Sequence, residues 1–244
     1  MSCNKKTLSL SKINSLIANL RAKNYQVYTQ PNRLNIIGVR NPLSNATKFD
    51  DYIYVIYKND NNNWVGYRYN ATTDPSSKYL QKGGYDSSTQ GTAILPEGQY
   101  VDKYAIRLHA GKYKAVAQKY GEDICVYRDY NRDNILNFDV STKTCGSYGI
   151  NIHRAKPNGA DDGKGNTLTI GDYSAGCQVF QNFYCFEEFM QLAERHKDLY
   201  GNSFTYTLLD KSLRNKFILK RSILLGALLG GGFLIFYGIK KLKK

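Results

Sequence analysis

The sequence predicts a mainly β, α+β body at residues 25–210, preceded by an amphipathic helix within 1–24 and followed by a basic, apolar appendage at 211–244. Three observations carry this. Short runs of β-branched and aromatic residues, broken by Asn, Asp and Gly, recur from residue 25 onward, the pattern of strands joined by turns. Tyrosine is abundant (21) and methionine scarce (2), a composition suited to pleated surfaces. Helical periodicity is confined to two stretches of this body and its N-terminus, and one uncharged apolar run stands apart near the C-terminus. At 244 residues the chain holds one domain of ordinary size plus an appendage.

Taken in order, Leu8, Ile13, Leu16, Ile17 and Leu20 fall on one helical face, which predicts a helix over 8–23 packed on the body. Leu34–Val39, Tyr52–Tyr57 and Trp64–Tyr69 read as strands, with the Asn-rich 58–63 spacer as a hairpin loop. Thr92–Leu95, Tyr104–His109 and Ala115–Ala117 follow as short strands. Asp74-Pro75-Ser76-Ser77 and residues 81–86 read as exposed loops that would shape a cleft. Phe186, Phe189, Met190 and Ala193 recur at helical spacing within Phe183–Leu199, with Glu187, Glu188, Glu194 and Lys197 outward. Such an aromatic and Met stripe is a core face. Ser203–Leu209 closes the domain as a strand.

The net charge of +14 is unevenly spread. Residues 211–244 carry nine Lys/Arg and no Asp/Glu, which leaves +5 over residues 1–210. The basic balance therefore points to a membrane surface. No zinc-finger, RNP or helix-turn-helix signature accompanies it, so nucleic acid is not an expected partner. Ser222–Ile239 is uncharged throughout and bracketed by Lys220-Arg221 and Lys240-Lys241. As a helix it would span about 27 Å at 1.5 Å per residue, the thickness of a bilayer core. It predicts a membrane anchor, with basic residues on both sides leaving orientation open. Gly226-x-x-x-Gly230 and Ala227-x-x-x-Gly231 would let such helices self-associate. The first twelve residues do not read as a signal peptide, because Lys12 and Asn14 interrupt the apolar stretch.

Five cysteines (Cys3, Cys125, Cys145, Cys177, Cys185) show an odd count, irregular spacing and no Cys-x-x-Cys pair. That fits neither a zinc site nor a disulfide framework; a single Cys125–Cys145 bridge is the one pairing left open. Asp129, Asn131 and Asp133 alternate as in the first half of a calcium loop, with Asn134 where the chain must turn through positive φ. The twelfth position is Val140, one after Asp139, so a polar Asx-rich turn competes with a structural calcium site.

The chemistry is expected between Tyr148 and Phe180. His153 ends a short apolar run with Ile150 and Ile152, at a strand end. Cys177 follows Ser174-Ala175-Gly176 in a tight turn. A thiol becomes a useful nucleophile when a neighbour removes its proton, and the chain has only three histidines to offer. Gly176 would let the backbone approach a substrate, and the Gly176 and Cys177 amides would face a developing oxyanion. The competing reading makes Cys177 a small buried hydrophobe and His153 a structural ring. His109 is read as a strand-surface residue able to line the cleft, and His196 as a helix-surface one.

His153, twenty intervening residues and then Ser174-Ala175-Gly176-Cys177-Gln178-Val179 resembles the L,D-transpeptidase (YkuD-like) family, whose signature is a strand-end histidine followed by Ser/Thr-His-Gly-Cys. The resemblance implies a β-sandwich or barrel catalytic domain. It also implies Cys177 as the acylated nucleophile, His153 as its base and the Arg154 carbonyl as the group orienting the ring. The oxyanion and orienting set is then Gly176, Ser174 and Arg154; Gln178, Tyr173 and His109 would line the substrate cleft. The implied donor is a peptidoglycan stem peptide centred on a diamino acid, with no cofactor required. Ala175 stands where the family has its second histidine, Gln178 and Val179 fill its Arg/Asn region, and the loop is longer than usual. The 148–154 and 174–180 wording also resembles proteins of tailed bacteriophages.

Two functions of different class follow. One is a membrane-anchored acyl-transfer enzyme, in which Cys177 attacks a peptide carbonyl and an amine or water resolves the acyl-enzyme. The other is an inactive, anchored module that grips peptidoglycan, favoured by the missing motif histidine. Either needs the body outside the cytoplasm or carried in a phage particle.

Overall fold

The computed structural model describes residues 2–41, 45–81, 91–156 and 161–210. The protein is mainly β, with a large sheet, a small one and three helices. In chain order the elements are β1 (Lys6–Thr7), α1 (Leu10–Ala22), β2 (Asn35–Arg40), β3 (Asp51–Lys58), β4 (Trp64–Thr72), α2 (Ser77–Leu80), β5 (Thr92–Ile94) and β6 (Gly98–His109). They continue with β7 (Tyr113–Gln118), β8 (Ile124–Asp129), β9 (Thr144–Gly146), β10 (Ile152–Arg154), β11 (Gln178–Phe180), α3 (Phe183–Tyr200) and β12 (Phe204–Asp210).

The large sheet runs β1-β4-β11-β10-β7-β6-β12-β2-β3, and β3 also pairs with β4. That last pairing closes eight strands into a ring, which removes the open edges that would template aggregation. Only β10/β11 and β12/β2 are parallel among its pairs. The ring's core gathers Leu34, Ile36, Val55, Tyr104, Ile152, Phe180 and Phe204 with the inner face of α3. Phe186, Phe189, Met190 and Ala193 are all buried there, as the stripe predicts. Fully burying one such large apolar side chain stabilises by roughly 1.5–3 kcal/mol. Asn182 caps α3 by accepting from the Cys185 amide at 3.0 Å.

On the other side of β2 and β3, α1 buries Ile13, Leu16, Ile17 and Leu20 against Ile37, Val39, Tyr54 and Ile56. Its cap is Ser9, whose side chain accepts from the Lys12 amide. The 58–63 spacer forms the expected reversal between β3 and β4, tied by Asn59 and Asn63 and passing through positive φ at Asn62.

Several expectations are corrected. The Cys125–Cys145 bridge that the sequence left open is present, but it is not the single pairing: Cys3–Cys185 is a second disulfide, and Cys177 alone is free. Cys125 and Cys145 are direct register partners of antiparallel β8 and β9. Those two strands were not anticipated, and with β5 they form the second sheet. Asp74–Ser76 is not an exposed loop but is buried, because Asp74 pairs with the buried Arg40 at 2.6 Å. His196 is not on the helix surface either; it is buried, its Nδ1 accepts from the Leu34 amide at 3.0 Å, and it packs on Phe204. The Ser222–Ile239 anchor, with Gly226 and Gly230, and residues 82–86 lie outside the described residues. Among the described residues no helix is long and apolar enough to cross a membrane.

Candidate active site

Parallel pairing of β10 with β11 puts Ile152 opposite Gln178 and His153 opposite Val179. One residue back, Asn151 faces Cys177, and the Gln178 amide donates to the Asn151 carbonyl at 2.8 Å. Since side chains alternate along a strand, Asn151, His153, Cys177 and Val179 share one face. Cys177 and His153 are diagonal neighbours, one strand across and two residues along, which corresponds to about 8 Å between their Cα atoms.

His153 is buried. Its Nδ1 lies 2.7 Å from the Arg154 carbonyl oxygen. A carbonyl can only accept, so Nδ1 carries the proton and Nε2 keeps the basic lone pair. Tyr113 supports the arrangement, its hydroxyl donating to the same carbonyl at 3.2 Å. Burial, and then His109, push His153 down to about 3, against the upward pull of the Arg154 carbonyl.

The Cys177 thiol is half-buried, donating to the Gly149 carbonyl at 3.4 Å and accepting from the Asn151 amide at 3.4 Å. Burial pushes it up to about 11, with the Asn151 amide pulling the other way. The resting pair is therefore a neutral thiol and a neutral imidazole. Any attack by this sulfur has to move its proton as the new bond forms.

His109 and Asn151 complete the face. The His109 ring stacks on His153 at 4.0 Å and 17°. Asn151 Oδ1 accepts from the Gln118 backbone amide at 3.0 Å, which fixes the orientation of the side-chain amide. Nδ2 must then be the atom 3.1 Å from His109 Nδ1, so that His109 nitrogen is unprotonated. A cleft of ≈310 Å³ opens here, lined by His109, Lys112, Tyr113, His153, Asp172 and Tyr173 among others. Cys177 is not part of its wall.

Other expected residues sit differently. Gly176 has φ 123°, and a Cβ there would come within 2.6 Å of the Ala93 carbonyl. The glycine is required by the close approach of β5. Its amide donates to Ser174 Oγ at 3.3 Å, so it is not available to an oxyanion as expected. The Cys177 amide donates to no described residue. Ser174 is buried, its hydroxyl 2.7 Å from the Asp74 carbonyl and 2.8 Å from that of Cys177; it fastens the turn.

Gln178 does not line the cleft. Alternation sends it to the opposite face, where its Oε1 accepts from Tyr206 at 2.7 Å and its Nε2 donates to the Gly176 carbonyl. That Tyr206 hydroxyl occupies the space that a side chain at Gly38 would fill. Nearby, Arg40 pairs with Asp74 and donates to the Thr73 and Leu95 carbonyls at 3.0 Å. Burial alone would weaken its charge, but Asp74, Asp51 and Asp210 more than offset that. Asp51 accepts from the Asn41 and Thr73 amides and from Thr73 Oγ1. Burial and then Asp74 raise it to about 7.

Of the two readings of residues 129–140, the polar Asx-rich turn is the one whose hydrogen bonds are seen. Among the described residues no three His, Cys, Asp or Glu converge as a metal site. Asp139 caps a 3-10 turn at Val140–Thr142. Asp133 accepts from the Ile135 amide and from Asn131, and Asp129 accepts from the Arg132 amide and Asn137. Asn134 does adopt positive φ (69°). These are Asx turns.

Asn151 and Tyr113 were missed from the sequence. Asn151 was legible in part: it is two residues before His153 on the same strand face. Comparison of the chain with family models, with curated proteins and with solved structures returns no match.

Proposed function

We propose that the protein is a cysteine acyl-transfer enzyme of L,D-transpeptidase type, acting on peptidoglycan stem peptides. The observation that carries the reading is the His153 ring: its Nδ1 proton is held by the Arg154 carbonyl, leaving Nε2 as a base on the strand face shared with the one free cysteine. In the proposed reaction the Cys177 sulfur attacks a peptide carbonyl while His153 takes its proton. The Cys177 amide is the donor left for the oxyanion. The leaving amine receives the proton from His153, and a second amine or water then attacks the thioester and releases the thiol.

Two disulfides beside one retained thiol support a body in an oxidising compartment, as a wall-facing or particle-borne protein would need. Ser222–Ile239 is proposed to hold it to a membrane, with Gly226 and Gly230 as a self-association seam.

The second reading, an inactive wall-binding module, is favoured by the high proton affinity of Cys177 and its place outside the cleft wall. Intact-mass spectrometry of the full chain incubated with a carbapenem, and separately with muropeptides, decides between them. A stoichiometric adduct that needs Cys177 and slows in His153→Asn supports the enzyme. No adduct and no altered muropeptide leaves the binding module.

A further inference from the structure

Tyr113 and Arg154 line two clefts at once. One is the ≈310 Å³ cleft over His153 and His109. The other, ≈720 Å³, runs along α3 and is walled by Phe183, Glu187, Met190, Glu194 and Asp198 among others. Both volumes suit a ligand of peptide size. The α3 cleft has an apolar floor and a specific set of charges. Lys114 is committed to Glu194 at 2.8 Å, and Glu194 also meets Lys197. Arg195 grips Asp60 with two bonds of 2.7 and 2.8 Å. That leaves Arg154, Glu187 and Asp198 in no ion pair with any described residue.

Arg154 is nonetheless held in place. Its guanidinium lies 4.0 Å from the Tyr113 ring centre and 5.3 Å from that of Phe183. Contact with two rings holds the guanidinium at the cleft while its N–H groups, which donate to no described residue, remain for a ligand such as a carboxylate. Glu187 stands on α3 about one turn after Phe183 and one turn before Met190, in the lining of the same cleft, whereas Asp198 lies eleven residues further on, about 16 Å along the helix.

We propose that the α3 cleft is a second subsite for a peptide that carries both a free carboxylate and a primary amine. Arg154 reads the carboxylate at the junction of the clefts, and Glu187 reads the amine beside Met190. The proposal deepens the stem-peptide reading and rests on it for the placing of the peptide's reactive end over His153. The subsite itself requires no catalysis.

The test is a calorimetric titration of the full-length Cys177→Ala protein in detergent, so that binding is read without turnover. The probe is a synthetic tetrapeptide with a C-terminal carboxylate and a lysine side chain, beside its C-terminal amide and its Nε-acetyl form. Arg154→Gln is expected to weaken the acid peptide roughly 10- to 100-fold, the worth of one charge-assisted bond, and to leave the amide peptide unchanged. Glu187→Gln is expected to weaken the free-amine peptide and spare the acetylated one, and Asp198→Asn to change neither. Arg154→Lys, which keeps charge without the planar fork, should fall between. Equal losses for acid and amide peptides, or no binding of the acid peptide at millimolar concentration, would overturn the subsite. A carbapenem adduct on wild-type Cys177 in that case would leave the acyl-transfer reading standing.

Discussion

Cys177 and Gln178 are neighbours in sequence and open opposite worlds. The Cys177 face holds His153, His109 and Asn151, all uncharged, with hydrogen-bonding capacity left over at His153 Nε2 and the Cys177 amide. The Gln178 face holds Arg40, Asp74, Asp51, Thr73 and Tyr206, buried and tied to one another. The Arg40–Asp74 ion pair lies on the side sealed from solvent, and the neutral thiol and imidazoles lie on the side that opens to a cleft. Buried charges hold shape when every one is partnered and are expensive when one is removed. A reacting centre needs the reverse: groups close to neutral whose partners are not yet chosen.

Substitutions on each face should therefore fail in different ways. The largest effect belongs to Cys177→Ala, which should abolish carbapenem adduct formation completely while leaving the thermal midpoint close to wild type. An adduct that persists would move the nucleophile elsewhere. His153→Asn should slow muropeptide turnover by about 10²–10⁴-fold, the usual worth of a general base; a change under threefold would remove His153 from the chemistry.

On the other face, Arg40→Met should lower unfolding stability by about 3–5 kcal/mol in a urea titration, because it strands buried carboxylates. Its surviving folded fraction, assayed in the cold, should still form the adduct. Loss of reaction in fully folded Arg40→Met protein would show that the two faces are not separable. Asn151→Ala should leave stability within about 1–2 kcal/mol and slow adduct formation roughly tenfold, since it frees His109 from its acceptor bond.

A separate effect is in the pH dependence of stability. His153, His196 and His109 all bind protons less readily in the fold than at their ordinary value of 6.5, chiefly through burial. Below about 6.5 the unfolded chain takes up more protons, so these three make stability fall as pH drops. Asp51 works the other way. It keeps its proton in the fold up to about 7, against 3.8 ordinarily, so its contribution is lost as pH rises through that window. Asp51→Asn should therefore climb more steeply in stability between pH 4 and 7 than the wild type. Equal slopes in urea titrations at several pH values would mean that Asp51 is already ionised in the fold.

What the sequence made legible follows the range of the forces involved. The strands at Tyr52–Tyr57 and Trp64–Tyr69 and the helix around Phe186 and Met190 declare themselves because their periodicity is local. The strand holding Cys145 does not, because it is only three residues; the one holding Cys125 has six residues and buries Ile124 and Val126 in alternation, a local signal that was there to be read. Asp74-Pro75-Ser76 reads as a surface turn by composition, and only Arg40, thirty-four positions earlier and buried, explains why it is inside. The strand-end histidine and the Gly-Cys turn could be seen; the ring stacked on that histidine could not, since His109 arrives from another hairpin. The orientation of Gln178 was available from simple alternation with Cys177.

The Cys3–Cys185 disulfide spans 182 positions, and the strand that seats between β2 and β6 is the last one described, β12. Both facts concern time as well as space. A ribosome must finish nearly the whole body before the second residue's neighbour can meet its partner, and later still before the ring of strands can shut. No N-terminal fragment can complete itself early. The ring of strands and its Cys3–Cys185 link are thus both late events, open to completion only when nearly all of residues 1–210 has been made.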